Sequence, residues 1–308
     1  MSRARGAFQS ILETVGGTPL VLIRRMNTEP EVRLWAKIEG FNPMGSVKER
    51  IALRIVEEAE RRGTLRPGMT LLESSSGNTG IGLAMIGAVK GYRVVIAMAQ
   101  KVSAERRQIL KALGAEIAFT GPEGGSDDAW ALADRMEKES PGLYFRIGQY
   151  ENPENPLAHY FGTAEEVWEQ TGGAIDWLVL TLGTCGTLVG MARRLKELRP
   201  SIRVVSVEPQ MKHTQQGLRN MSESRVPAIM DWSLVDERLT VKDEDAYRTA
   251  RELARREGIL AGISSGTAIF AALVVARRER RGGIVTLLPD RGEKYLSTSL
   301  YARDPDPA

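Results

Sequence analysis

One cysteine and two histidines are all that this chain of 308 residues contains of those two residue types. A lone thiol, Cys185, excludes an intrachain disulfide. His159 and His213 lie far apart in sequence, so a Cys/His metal site has almost no material and none is expected. Aromatic residues make up only 6% of the chain, and no stretch approaches the roughly 20 consecutive apolar residues of a membrane span. Neither sign of charge dominates, since 42 Lys and Arg against 39 Asp and Glu leave a net +3. The densest basic run, Arg277-Arg278-Glu279-Arg280-Arg281, closes an apolar helical pattern, where cations suit the helix C-terminus. It has neither interleaved aromatics nor a recognition motif, which argues against nucleic-acid binding. The first residues are partly basic but have no apolar run behind them, so no secretory signal is expected and the chain reads as soluble and cytoplasmic.

What is present is ordinary for a globular protein, 42% apolar and 26% charged, without repeats or low-complexity tracts. Strand and helix patterns alternate, the signature of parallel sheet covered by helices. Strands are expected at 32–38, 70–73, 93–98, 116–119, 177–182, 203–207 and 284–288. Helices are expected at 46–62, 77–90, 103–113, 127–137, 157–170, 186–198, 243–257 and 265–279. The stretch Asn152-Pro153-Glu154-Asn155-Pro156 breaks both periodicities and marks a boundary between two α/β lobes. Segment 209–240 lacks clean periodicity, and a long irregular stretch inside a compact domain is more often functional than idle.

Two strand-to-helix loops are built from small residues. The first is Ser74-Ser75-Ser76-Gly77-Asn78-Thr79-Gly80 and the second Gly183-Thr184-Cys185-Gly186-Thr187. Glycine admits close backbone approach, hydroxyls add donors, and a following helix N-terminus offers oriented N–H groups, so each loop could hold a carboxylate or phosphate. Each is equally readable as a plain capped turn. Neither fits a dinucleotide fingerprint or a P-loop.

Lys48 stands in Asn42-Pro43-Met44-Gly45-Ser46-Val47-Lys48-Glu49, where Ser46 and Glu49 have capping-box spacing and place the lysine in the first helical turn. A cation is disfavoured there, which eases loss of its proton and leaves an amine able to attack a carbonyl. A surface lysine extending away from the turn is the alternative. Gly262-Ile263-Ser264-Ser265-Gly266 satisfies the G-x-S-x-G pattern of a hydrolase nucleophile. That fold needs its histidine after the serine, and none follows His213.

Together these segments resemble the cysteine synthase family of fold-type II pyridoxal-phosphate (PLP) enzymes, and within it the B-type cysteine synthases and their O-phosphoserine-using relatives. The resemblance runs from Thr14-Val15-Gly16-Gly17-Thr18-Pro19-Leu20 to Asp290-Arg291-Gly292-Glu293-Lys294-Tyr295-Leu296-Ser297-Thr298, nearly the whole chain. It implies a tryptophan synthase β-like architecture of two open-sheet α/β lobes with the cofactor in the cleft between them. The lobes would be a smaller, mobile one at 41–150 and a larger one comprising 14–40 and 151–308. By the same resemblance Lys48 forms the Schiff base with PLP and later moves the Cα proton. Gly183, Thr184, Cys185, Gly186 and Thr187 cradle the cofactor phosphate, Asn78 bonds its 3′-oxygen and Ser264 faces its ring nitrogen. Ser75, Ser76, Gly77, Asn78 and Thr79, with Gln149, bind the substrate carboxylate. A homodimer is implied as well.

The implied reaction is a β-replacement that turns an O-activated L-serine and sulfide, or another sulfur donor, into L-cysteine through an aminoacrylate. Arg219, in Leu218-Arg219-Asn220-Met221, resembles an arginine that contacts the substrate phosphate in O-phosphoserine sulfhydrylases, and its fork suits a phosphate dianion. A solvated Arg219 with O-acetylserine as donor is the competing reading. Other nucleophiles, as in a cystathionine β-synthase or a diaminopropionate-type synthase, remain open, as do a serine/threonine dehydratase and a non-catalytic partner-binding homologue. Two residues depart from the family pattern. Ser75 replaces the usual Thr, and Cys185 replaces Gly or Thr, either as a small filler or as a redox-sensitive thiol.

Overall fold

In the computed structural model, residues 6–301 are described apart from Ser76, Lys101, Ser103 and Pro122. The elements in chain order begin with β1 (Leu20–Leu22), β2 (Val32–Ile38), α1 (Lys48–Arg61), β3 (Thr70–Ser74), α2 (Asn78–Lys90), β4 (Arg93–Met98), α3 (Ala104–Ala112), β5 (Glu116–Phe119), α4 (Ser126–Glu139) and β6 (Tyr144–Arg146). They continue with α5 (Glu154–Ala158), a π-helical turn (His159–Thr163), α6 (Ala164–Thr171), β7 (Trp177–Thr181), α7 (Gly186–Leu198), β8 (Arg203–Pro209), β9 (Glu237–Val241), α8 (Asp243–Glu257), α9 (Ile263–Glu279) and β10 (Gly282–Leu288). The chain divides into two compact units, crossing between them at Val15/Gly16, Phe41/Asn42 and Asn155/Pro156. No described helix is long and apolar enough to cross a membrane.

The unit containing Asn42–Asn155 is built on a parallel sheet in the order β5-β4-β3-β6. Leu71 and Ile96 pack with Ile55, Ile81 and Leu83 of α1 and α2 on one face. Leu72, Val95 and Ala97 meet Ala133 of α4 on the other. A sheet covered on both faces needs strands apolar on both faces, which is why β3 is buried along its whole length. All four strands point the same way, so the residues after β3 and after β6 emerge at one edge of this sheet.

The unit containing Pro156 onward and Gly16–Phe41 carries a six-stranded sheet in the order β1-β2-β10-β7-β8-β9, parallel except for β1. Leu34, Val179, Val205 and Ile284 form its core with Ala250, Leu253, Ile269 and Ala272 of α8 and α9. The loops after β7 and β8 therefore also leave from a common edge.

The long elements lie where periodicity places them, but three strands do not appear in that reading. β1 and β6 have three residues each, too few to show a period. β9 lies inside the segment expected to be irregular, and as a half-exposed edge strand it carries Glu237 and Arg238. The expected single helix over 157–170 is instead α5, a π-turn and α6, because one residue too many is accommodated at His159–Thr163.

The pattern Gly262–Gly266 is not a strand-turn-helix elbow here. It follows α8 and opens α9. A Cβ on Gly266 would stand 2.0 Å from the Ala246 carbonyl oxygen and 2.8 Å from the Ala250 nitrogen, both backbone atoms of α8. This glycine thus sets the closeness of the two helices. Gly266→Ala should destabilise the protein by about 2 kcal/mol, overpacking outweighing the gain in helix propensity. Chemical denaturation of the two proteins checks this, and an unchanged midpoint would mean that α8 and α9 separate freely.

Candidate active site

Lys48 is the first residue of α1 and is partly exposed. The turn before it is held by Glu49, whose wholly buried carboxylate accepts the N–H of Met44 at 2.7 Å and of Ser46 at 2.8 Å. The expected capping box is present in altered form. Val47 rather than Ser46 is the cap, without a side-chain bond, while Ser46 Oγ accepts the Lys48 N–H at 3.3 Å. Gly45, at φ 77°, makes the turn. A Cβ on Gly82 of α2 would lie 3.3 Å from Glu49 Cα and Cγ, so α2 packs tightly behind the same residue.

The first small-residue loop leaves the end of β3. Ser75 donates its N–H to Ala97 C=O, and its hydroxyl accepts from the N–H groups of Gly77 and Gly80, each at 3.2 Å. The helix start is thereby organised by Ser75 itself. Gln149, from the loop after β6, joins the expected substrate residues in fact: Thr79 Oγ1 donates to Gln149 Oε1 at 2.7 Å, and Gln149 Nε2 reaches Ser74 C=O at 3.4 Å. Asn155 Nδ2 fixes the Gln149 carbonyl at 2.6 Å. Asn78 begins α2 and is partly buried. Ser76 lies outside the described residues.

In the other unit the second loop runs from β7 into α7, with Gly186 and Thr187 in the first turn of the helix. A Cβ on Gly183 would meet the Gly217 carbonyl oxygen at 2.7 Å, and the Arg219 N–H donates to Leu182 C=O at 2.9 Å. The structure therefore brings Arg219, itself part-buried, alongside the 183–187 loop, which sequence separation does not reveal. Thr184 is buried. Cys185 is 3% exposed, has the left-handed φ of 69°, and points Sγ at Gly183 O, 3.9 Å away. Ser264 is buried in the first turn of α9, next to Gly262. A Cβ on Gly262 would fall 2.2 Å from Asp290 Oδ1 and 2.6 Å from Tyr295, and Tyr295 OH is bonded to Asp290 Oδ2 at 2.7 Å. That contact fixes where α9 starts and hence where Ser264 stands.

Several residues at these loops escape a reading of the sequence. His159 is buried, with Nδ1 2.9 Å from Thr163 Oγ1 and Nε2 3.1 Å from Thr187 Oγ1, so it supports the second loop from the π-turn. Its one sequence signal is the four-residue spacing to Thr163, and the π-turn that makes the spacing work is invisible to periodicity. The guanidinium of Arg106 on α3 is buried against Gly77, 3.6 Å from where a Cβ would be. Glu73, at the end of β3, is buried with its pKa pushed up to about 7, chiefly by desolvation.

A family model described as pyridoxal-phosphate dependent enzyme matches residues 11–290. Cysteine synthase B of Escherichia coli is 43% identical over 292 residues, which cover 95% of this chain and 96% of that protein. Among solved structures, a cysteine synthase from Entamoeba histolytica superimposes with a TM-score of 0.94 at 41% identity, covering 100% of this chain and 95% of the other. An O-ureido-L-serine synthase gives a TM-score of 0.92 at 39% identity, covering 98% of each chain.

The strain at Cys185 is testable on its own. A left-handed non-glycine residue costs about 1 kcal/mol, and a β-branched side chain costs more. Cys185→Gly should leave stability within about 1 kcal/mol of the wild type, strain relief offsetting lost packing and greater chain entropy, whereas Cys185→Val should be clearly destabilised. Thermal melting of both variants is the check; equal melting temperatures would show that the backbone at 185 is not restrictive.

Proposed function

The chain belongs to the pyridoxal-phosphate dependent enzyme family, and on that premise we propose that it is a cysteine synthase, replacing the β-substituent of an O-activated L-serine with sulfide to give L-cysteine. The observation that carries this reading is Lys48, an amine at the head of α1 on a turn clamped by a buried carboxylate. A protein that only docked on a partner has no use for such an amine.

The donor set fits the cofactor. Gly183, with no room for a Cβ, keeps the second loop close to the backbone, and the first-turn N–H groups of α7 with the hydroxyls of Thr184 and Thr187 suit a phosphate dianion. Pyridoxal phosphate, when bound, supplies an aldehyde for Lys48 and an electron sink for breaking the Cα–H bond. Lys48 Nζ takes the Cα proton and returns it at the end. Asn78 would bond the ring 3′-oxygen. Ser264 would offer the ring nitrogen a neutral hydroxyl, which cannot hold it protonated as a carboxylate does. Ser75, Ser76, Gly77 and Thr79 with Gln149 hold the substrate α-carboxylate, and Arg219 favours O-phosphoserine over O-acetylserine.

A second reading, β-replacement with a nucleophile other than sulfide, draws support from the likeness to an O-ureido-L-serine synthase. The protein acts in the cytoplasm as a homodimer, for which the exposed Phe41, Phe161 and Leu296 offer apolar surface.

Two experiments follow. Purified protein should show the near-visible absorption of a lysine-bound pyridoxal, borohydride reduction should label Lys48, and Lys48→Ala should lose the band and the activity. A labelled residue other than Lys48 would end the reading. Arg219→Ala should lower kcat/KM about tenfold or more for O-phosphoserine, the order expected for a lost charged hydrogen bond, while sparing O-acetylserine. Equal losses for both donors would remove Arg219 from donor choice.

A further inference from the structure

Behind the first loop lies a carboxyl group that the reaction above does not use. Glu73 is 1% exposed at the fourth position of β3. Its Oε1 accepts the Ser74 N–H at 3.0 Å and the Ser74 hydroxyl at 3.3 Å, whereas Oε2 is buried with no hydrogen-bond partner. A buried carboxylate with one oxygen unsatisfied is costly, and a buried carboxylic acid much less so. Desolvation therefore dominates over the opposing pull of Arg146 and of the Ser74 and Gln149 amides, and holds the group near neutrality at about 7.

Among the described residues no ion pair to this carboxyl is present. On β6 the cation that acts on it through space is Arg146, whose Nη1 also lies 3.5 Å from Asp134 and 3.8 Å from Glu137 of α4. β4 sets Ile96 in register with Glu73 and has its charge, Arg93, at the opposite end. The one charge on α2, Lys90, is at its far end and paired with Glu60. Arg106 on α3 packs on Gly77, and Glu49 on α1 is taken up by Met44 and Ser46.

What Glu73 does reach is the substrate loop. Ser74, whose N–H it holds, presents its carbonyl to Gln149 Nε2 across 3.4 Å, a long bond that is easily lost to a stronger acceptor. Gln149 in turn accepts from Thr79. We infer that Glu73 is a positioning residue for the amino-acid donor: through Ser74 and Gln149 it favours binding of the α-carboxylate at Ser75, Gly77 and Thr79 when it holds its proton, and opposes binding when it has lost it. The inference rests on the reading that this loop receives the α-carboxylate. An ionised Glu73 draws Gln149 Nε2 toward itself and sets a buried negative charge beside an incoming negative group. By linkage, donor binding draws a proton onto Glu73.

The test is steady-state kinetics of the holoenzyme with O-acetylserine and O-phosphoserine between pH 6 and 8.5, for wild type, Glu73→Gln and Gln149→Ala. Wild-type KM for the donor should rise about threefold or more as pH increases through 7, with kcat moving little. Glu73→Gln should keep the cofactor absorption and kcat while its KM stays at the low-pH value throughout. Gln149→Ala should raise KM at every pH. A flat wild-type KM overturns the inference without any variant, and so does a Glu73→Gln profile that still bends like the wild type. If Glu73→Gln does not fold, Glu73→Asp keeps an ionisable group and must keep an inflection; a flat profile there overturns the inference as well. A wild-type KM in Gln149→Ala would instead refute the assignment of the loop to the α-carboxylate.

Discussion

A buried carboxylate on backbone amides is the interaction on which the candidate chemistry depends. Glu49 lies one residue after Lys48, the lysine proposed for the chemistry, is shut off from solvent, and accepts two N–H groups of the turn before the helix. Hydrogen bonds to an ionised acceptor are roughly twice as strong as neutral ones, so the turn 44–46 is held far more firmly than a loop of its length otherwise would be. Tight packing of Gly82 against the same residue leaves α2 no room to shift relative to α1. The start of α1, and with it the backbone of Lys48, thus gets its position from the neighbouring side chain.

Each unit repeats one construction: a buried parallel strand, a loop of small residues, a helix N-terminus. The construction works because steric room and polarity coincide. At Gly183 a Cβ would strike the Gly217 carbonyl, so the absence of a side chain lets that segment lie directly against the loop. The first-turn N–H groups of a helix have no intrahelical partner, and such donors suit anions. Ser75 shows the limit of that argument. Its hydroxyl already accepts from Gly77 and Gly80, so it acts first as the internal brace of the loop.

How much of this was legible in the sequence depends on the range of the signal. Long amphipathic or apolar segments such as α1, α7 and α8 declare themselves, because their periods extend over three turns or more. Lys48 and the glycine-rich loops are legible because turn chemistry is local. Gln149 and Arg219 were legible only through the family resemblance; nothing near them in sequence reports that Gln149 meets Thr79 or that the Arg219 backbone meets Leu182. Glu73 and Arg106 were not legible at all, and His159 only as a four-residue spacing to Thr163. A buried histidine, glutamate or arginine has no periodic signature, and its surroundings are set by strand register and by a π-turn that only the folded chain shows.

The opening motif Gly16-Gly17-Thr18 illustrates a different kind of legibility. It helps to mark the family, yet what it does in the structure is mechanical. Lys37, fully buried in β2, bonds the Thr18 carbonyl at 2.6 Å and Gln170 Oε1 at 2.8 Å, and pairs with Glu166 at 2.7 Å. Gln170 also donates to the Thr18 carbonyl, and Glu166 accepts the Gly17 N–H at 3.0 Å. A buried lysine is costly unless its ammonium is fully engaged, and here three acceptors engage it where the chain enters β1 beside the end of β2. Removing one partner would strand a charge, so the residues of this network are tied to one another more tightly than any is to the reaction. Motifs of this kind identify a fold because they cannot be changed one residue at a time, whereas the residues that touch substrate can vary with the donor and the nucleophile.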